Sequence, residues 1–110
     1  MGKLSVGAVV LSRFPFSDLS TNKIRPCLIV GLAEFGDVIV CQITSRSYSS
    51  HSAIALSKTN FISGTIVVDS FIRPDKIATL DGSMIMQELG VINNKKLGQV
   101  KTAIHQLFEQ

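Results

Sequence analysis

The sequence has few of the features that mark a metalloprotein, a secreted protein or a membrane protein. Its two cysteines, Cys27 and Cys41, show no CxxC or Cys/His spacing, so neither a zinc site nor a disulfide scaffold is expected. The longest apolar stretch, 27–33, is far shorter than the roughly 20 residues that span a bilayer. The apolar run 6–11 leads into Arg-Phe-Pro instead of a small-residue cleavage site. These absences favour a cytoplasmic protein without membrane contact.

Charged residues are also scarce. They make up 17% of the 110 residues, whereas apolar residues make up 45%. This balance is too apolar for a disordered chain and fits one folded domain, 1–110. It is also rich for a small domain, so part of the apolar surface is expected to lie against a partner. The 11 basic and 8 acidic residues give a formal charge of +3, which suits a weakly basic groove for a polyanion.

Several motifs of catalysis are absent as well. The sequence contains no Gly-rich phosphate loop, dinucleotide fingerprint or metal-ligand cluster, so no cofactor is expected. The serines at 47, 49 and 50 have no Gly-x-Ser-x-Gly elbow around them, which argues against a serine nucleophile. His51 and His105 occupy segments too different in character for the acid/base pair of a pancreatic-type ribonuclease.

The apolar patterning predicts strands first and helices last. The runs 27–33 and 38–44 flank a turn that contains Gly36 and Asp37, which predicts a β-hairpin. Both runs are almost continuously apolar, so burial on both faces is expected, with a helix or second subunit covering one of them. Further strands are predicted at 6–14, 53–56, 65–72 and 76–80, with a turn at 73–75 and polar loops at 15–22 and 46–52.

Two helices are predicted near the end of the chain. Residues 81–83 would cap a short helix at 84–89 that Gly90 ends, and Asn93 or Asn94 would cap an amphipathic helix. The apolar positions of that last helix follow helical spacing: Leu97, Val100, Ile104, Leu107 and Phe108. The predicted fold is mainly β (α+β), a small SH3-like barrel with a short helix and a C-terminal amphipathic helix.

Register arithmetic brings polar residues together at the open end of the hairpin. A turn centred between positions 35 and 36 places Thr44 opposite Cys27 and Arg46 opposite Arg25. Arg25, Cys27 and Thr44 then share one face, whereas a slip of one residue would put Ser45 in the place of Thr44. The same count places Cys41 about three rungs from Cys27, roughly 10 Å along the strands, so both thiols are expected to be free.

Two arginines are candidate anion ligands. Arg25 beside a hydroxyl would suit a phosphate, because guanidinium offers a planar fork of donors. The alternative is a surface arginine with a local ion pair. Arg73 has Asp75 two residues later, and the alternative there is a turn whose charges are solvated or paired with each other.

Five blocks, in this order, together resemble the MazF/PemK toxin family over nearly the whole chain. They are Gly-Ala-Val-Val-Leu at 7–11, Phe-Pro-Phe-Ser-Asp-Leu at 14–19, Lys-Ile-Arg-Pro-Cys-Leu-Ile-Val at 23–30, Gln-Ile-Thr-Ser at 42–45 and Ile-Arg-Pro-Asp-Lys-Ile-Ala-Thr-Leu-Asp at 72–81.

The resemblance implies a barrel-like homodimer of the MazF/PemK/CcdB type that acts as a sequence-specific, ribosome-independent endoribonuclease on single-stranded mRNA. It also implies metal-free attack by the 2′-hydroxyl, which gives 2′,3′-cyclic phosphate and 5′-hydroxyl ends. The implied partner is a cognate antitoxin, acidic and partly disordered, with DNA contacted only through the antitoxin complex. One alternative is a CcdB-like toxin that poisons DNA gyrase through its C-terminal residues, and another is a catalytically silent RNA-binding or autorepressor subunit.

The resemblance also assigns site residues. The implied catalytic residues are Arg25, Thr44, Asp75 and Arg73. The expected RNA contacts are Ser45, Arg46, Lys23, Phe16, Tyr48 and His51. Because the pKa of arginine exceeds roughly 12, Arg25 is expected to stabilise charge instead of acting as the general base. The candidates for the base are Asp75, His51 and water, in that order.

Overall fold

A computed structural model describes residues 3–13, 24–46 and 52–110. Seven strands and one helix follow one another along these segments: β1 Ala8–Arg13, β2 Ile24–Leu32, β3 Asp37–Thr44, β4 Ile54–Leu56, β5 Phe61–Gly64, β6 Ser70–Asp81, β7 Ile85–Ile92 and α1 Asn94–Leu107.

The strands form one antiparallel sheet in the order β4-β6-β3-β2-β1-β7-β5, curled into a half-barrel. β2 and β3 lie at its centre, as expected of the two most continuously apolar runs. The prediction of a mainly β, barrel-like domain with a C-terminal helix is therefore confirmed. Within the described segments, no helix is long and apolar enough to cross a membrane.

Each face of the sheet carries its own hydrophobic cluster. One face, with Leu28, Cys41 and Ile43, packs against α1, whose Val100 is fully buried. The opposite face holds Cys27 and Val40 among its members. Both faces of the central hairpin are thus buried within one chain, so its doubly apolar strands require no second subunit to cover them.

The hairpin is confirmed, but its predicted register is wrong by two residues. Cys27 pairs with Gln42 instead of Thr44, and Leu28 pairs with Cys41. A 3-10 turn at Glu34–Gly36 and an irregularity between Ile29 and Gly31 produce the offset. A shift of two residues preserves the face of every side chain, so Arg25, Cys27 and Thr44 still share a face.

The two cysteines are free and buried, as predicted, although the geometric reason differs. Cys41 lies opposite Leu28, next to Cys27, and not three rungs away. The two thiols belong to clusters on opposite faces of the sheet, which keeps them apart.

The short helix predicted at 84–89 is wrong. Gly82–Met84 forms a single 3-10 turn, capped by the Asp81 side chain, and the chain then continues as β7. Gly90 pairs with Gly64 of β5, a strand that the patterning missed, instead of ending a helix. The segment is too short for a stable helix, and strand pairing on both sides determines its conformation.

The predicted segments before and after this one have different outcomes: the strand prediction needs correction, whereas the C-terminal helix is confirmed. The predicted strands at 65–72 and 76–80 and the turn between them are parts of one long strand, β6, which begins only at Ser70. The C-terminal helix is confirmed, with Asn93 as the N-cap whose side chain accepts a hydrogen bond from the Lys96 backbone N–H at 2.8 Å.

Candidate active site

The central strands part at the end of the sheet far from the hairpin turn. The pairing of β2 with β3 ends at Cys27 and Gln42. Beyond this pair, within the described part of the chain, β2 pairs only with β1, and β3 pairs only with β6. Pro26 lies immediately beyond the last pair and has no N–H to donate, which favours an end to the ladder there. We call the resulting gap, with Arg25, Cys27, Gln42 and Thr44 around it, the β2–β3 notch.

Arg25 and Thr44 lie on the two sides of this notch. The register of the last pair, continued by two residues, brings them level with each other and on the same face. Both side chains are half-buried. The Thr44 hydroxyl oxygen accepts a hydrogen bond from the Arg46 backbone N–H at 3.2 Å, which leaves its own O–H to donate.

A second arginine enters the same face from β6. Arg73 pairs with Gln42, whereas Cys41, the residue before Gln42 in β3, pairs with Ile77. Residues 74–76 therefore form a bulge in β6. The predicted turn at 73–75 is therefore a bulge inside a strand, where a proline is tolerated.

Asp75 holds the Arg73 guanidinium in a two-point contact. Nε of Arg73 donates to Oδ1 at 3.2 Å and Nη2 donates to Oδ2 at 2.8 Å. The two side chains are 21% and 34% exposed, so the pair is partly shielded from water. Both carboxylate oxygens accept hydrogen bonds from the guanidinium. The charges of Arg73 and Asp75 are therefore paired with each other, which is the alternative given for them in the sequence analysis.

The floor of the notch is polar and buried. Ser12 of β1 pairs with Arg25, is fully buried, and lies 3.4 Å from the Cys27 thiol through its hydroxyl. Burial raises the pKa of Cys27 to about 11, against a smaller opposing effect of the Ser12 hydrogen bond, so the thiol is neutral.

The side-chain amide of Gln42 is the unusual polar group of this floor. The residue is 7% exposed, and its Oε1 is buried with no hydrogen-bond partner among the residues that the structure describes. A buried acceptor without a hydrogen bond lowers the stability of the folded state by about 1–3 kcal/mol. The presence of Gln42 Oε1 in this floor therefore calls for an explanation.

The arginines of the sequence concentrate at this end of the sheet. One ends β1, one is the second residue of β2, one lies two residues after β3 and one lies in the first part of β6; they are Arg13, Arg25, Arg46 and Arg73. At the opposite end lie Glu34 and the cross-strand pair Asp37 and Asp81. The modest net charge of the chain therefore conceals a basic end that would attract an anion.

The structure brings four predicted site residues together: Arg25, Thr44, Arg73 and Asp75. Ser45 and Arg46 are exposed in the bend after β3, beside the notch. The predicted contacts Phe16, Lys23, Tyr48 and His51 lie outside the described residues.

Sequence reasoning missed two residues of the notch floor, Ser12 and Gln42. Gln42 is the one polar side chain between Val38 and Ile43 in an otherwise apolar strand. That interruption was a usable signal, because a lone polar residue in a buried strand needs a partner. Ser12 gave no comparable signal, since a serine near a strand end is common.

Comparison with known proteins gives the same picture of the fold. A chain of an endoribonuclease from a mycobacterial species superposes with a TM-score of 0.73 at 19% identity, covering 99% of this chain and 94% of that one. A mycobacterial endoribonuclease in complex with its cognate antitoxin gives 0.72 at 17%, with 94% and 92% covered. A chain of the MazE-MazF structure (Form-III) from Deinococcus radiodurans gives 0.76 at 19%, with 97% of both covered.

No protein with a curated description matches this chain in sequence. The family model of the PemK-like, MazF-like toxins of type II toxin-antitoxin systems matches residues 5–108, nearly the whole chain. The chain therefore belongs to the PemK-like, MazF-like toxin family of type II toxin-antitoxin systems.

Proposed function

We propose that this chain is a ribosome-independent endoribonuclease toxin that cuts single-stranded mRNA at short sequences, without a metal ion or other cofactor. The observation that carries the proposal is the convergence of Arg25, Thr44 and Arg73 on one face at the opened end of the sheet. Guanidinium forks and a hydroxyl donor are the groups that hold a phosphodiester. Membership of the toxin family supports the same activity.

The cleavage chemistry that we propose is the one that the family resemblance implies. The ribose 2′-oxygen attacks the adjacent phosphorus and the bond from phosphorus to the 5′-oxygen breaks, which leaves a 2′,3′-cyclic phosphate and a 5′-hydroxyl. Negative charge grows on the phosphorane oxygens, where Arg25 and the Thr44 O–H donate. One such donor contributes about 3–4 kcal/mol to transition-state stabilisation in comparable sites.

Proton transfer needs a base for the 2′-hydroxyl and an acid for the leaving 5′-oxygen. Both oxygens of Asp75 accept from Arg73, so we assign Asp75 to positioning that arginine. His51 and water are then the candidates for the base. Arg25 is assigned to charge stabilisation and to proton donation toward the 5′-oxygen.

The RNA path runs over the basic end of the sheet. Ser45 and Arg46 are exposed beside the notch, where they would contact nucleotides flanking the cut. We assign further RNA contacts to Lys23, Phe16, Tyr48 and His51, in the segments that border the described strands.

The same basic end suits an acidic antitoxin. One structurally similar mycobacterial endoribonuclease was solved with its cognate antitoxin, and by analogy we propose an acidic, partly disordered antitoxin that covers the notch. We also propose a homodimer, supported by exposed Ile62, Val67 and Val68, which are 70%, 89% and 54% accessible in the single chain. Sedimentation of the purified protein as a monomer at micromolar concentration would contradict the dimer.

The test is the cleavage rate of a single-stranded RNA oligonucleotide in EDTA. Arg25→Ala is expected to slow cleavage by about 10²–10³-fold, the loss of one strong donor to the transition state. Arg25→Lys retains the charge but loses the planar fork, so it is expected to restore little of that rate. Lys101→Ala, which removes an exposed cation of α1 on the opposite face of the sheet, is the matched control and is expected to retain most activity. Equal rates for wild type and Arg25→Ala, or no cleavage until metal is added, would refute the proposal.

A further inference from the structure

We infer that Gln42 accepts a hydrogen bond from the ribose 2′-hydroxyl at the cut site and thereby selects RNA over DNA. The inference rests on the proposed function, because it requires a nucleotide in the β2–β3 notch. The observation behind it is the buried Oε1 of Gln42, which has no hydrogen-bond partner within the described segments 3–13, 24–46 and 52–110. A buried acceptor without a partner is the expected state of a group whose partner arrives with a ligand.

The position of Gln42 fixes the part of the ligand that it meets. Gln42 lies between Cys27 on β2 and Arg73 on β6, and Thr44 lies two residues further along the same face. The floor of the notch is therefore within about one side-chain length of a phosphate held by Arg25 and Thr44, since same-face neighbours on a strand are roughly 7 Å apart.

The chemistry of an acceptor narrows the ligand group further. Phosphate oxygens are themselves acceptors and cannot satisfy Oε1, so the partner must be a donor. The donor next to a scissile phosphate is the 2′-hydroxyl of the preceding ribose, which is also the attacking group. Because DNA lacks this hydroxyl, a protein that binds it distinguishes RNA from DNA at that nucleotide. Gln42 thus acts as a positioning residue that aligns the 2′-oxygen with the phosphorus and leaves proton removal to another group.

The experiment compares two ligands that cannot be cut by the proposed reaction. Both are oligonucleotides of the mapped target sequence with 2′-O-methyl riboses, and they differ only at the nucleotide before the cut. One has a 2′-amino group there, which donates, and the other has a 2′-fluoro group, which does not. Wild-type protein is expected to bind the 2′-amino ligand about five- to tenfold more tightly, the effect of one hydrogen bond.

Gln42→Met keeps the length of the side chain and removes the acceptor. It is expected to abolish the preference, so that the two dissociation constants agree within about twofold. The matched control, Arg46→Ala, is expected to weaken both ligands equally and to keep the preference. The melting temperature of Gln42→Met is expected to equal or exceed that of wild type, because no buried acceptor is left unsatisfied.

The outcomes separate the two proposals. Retention of the preference in Gln42→Met, or no preference in wild type, would overturn the assignment of Gln42 while leaving the cleavage activity intact. A failure of wild-type protein to cut any RNA would instead refute the proposed function and provide no cut to map. An equal loss of affinity for both ligands in Gln42→Met would mean that Gln42 meets another group, which also overturns the inference.

Discussion

The contact between Arg73 and Asp75 leads to a quantitative prediction about the role of the carboxylate. Asp75→Asn keeps the shape of the side chain but replaces one acceptor oxygen by an amide donor, so one of the two hydrogen bonds to the guanidinium is lost. Hydrogen bonds to charged groups contribute about 1.5–3 kcal/mol. Because Asp75 is 34% exposed, solvent screening reduces this toward the range of surface pairs, and we take about 1 kcal/mol.

That value corresponds to about a fivefold loss of cleavage rate if Asp75 acts by holding Arg73 in place. A general base would behave differently, since its removal costs about 10²–10⁴-fold. Single-turnover cleavage of a saturating RNA oligonucleotide by wild type and Asp75→Asn separates the two roles.

A double-variant cycle completes this test. In an Arg73→Ala background, Asp75→Asn is expected to have almost no further effect, because the group that it positions is gone. A loss of a hundredfold or more in Asp75→Asn, or an undiminished effect of that substitution in Arg73→Ala protein, would refute the positioning role and restore Asp75 as the base.

The remaining predictions concern stability and thiol chemistry. A Cβ on Gly98, inside α1, meets nothing within 4 Å, so Gly98→Ala is expected to raise the unfolding free energy in urea by about 1 kcal/mol, the difference in helix propensity. Gly64→Ala is expected to lower it by at least about 2 kcal/mol, because φ is +64° and a Cβ would collide with the Leu89 carbonyl; a smaller loss would contradict this packing. Phe35 has a left-handed backbone (φ 62°) and is 95% exposed. Phe35→Asn is therefore expected to raise the free energy of unfolding by about 1 kcal/mol, and with it the melting temperature. A lower melting temperature would show that the Phe35 ring makes a stabilising contact. Burial raises the pKa of the Cys27 thiol from 9.0 to about 11 and that of the Cys41 thiol to about 12. Ellman's reagent at pH 8 is therefore expected to label neither cysteine before the protein unfolds. Rapid labelling of the native protein would show that the thiols are accessible. The contribution of the protonated thiols to stability is complete below pH 9 and is lost as the pH rises through about 11 for Cys27 and about 12 for Cys41.

The central hairpin shows what the sequence encodes well. Its two apolar runs are long, rich in β-branched residues and separated by turn residues, so their pairing could be predicted without a structure. The register could not, because Phe35 adopts a left-handed backbone in the turn and the ladder is irregular near Gly31. Neither feature has a strong local signal, since the left-handed region ordinarily favours glycine or asparagine.

The candidate site was predicted in its residue types more fully than in its geometry. Arg25 and Thr44 converge as expected, since a two-residue error in register does not change the face. The bulge that brings Arg73 opposite Gln42 depends on the pairing of β6 with β3, which are about thirty residues apart in sequence. Local patterning shows a turn at the same proline, because a turn and a bulge place similar demands on the backbone.

The chemistry of the RNA ends tests the proposed cleavage most directly. Single-stranded RNA is incubated in EDTA with wild-type protein or Arg25→Ala, and the new 5′ ends are mapped and tested for phosphate. The proposed mechanism predicts discrete cuts with 5′-hydroxyl and 2′,3′-cyclic phosphate ends from the wild type, and none above background from the variant. The same cuts from Arg25→Ala, or new ends that carry a 5′-phosphate, would contradict it.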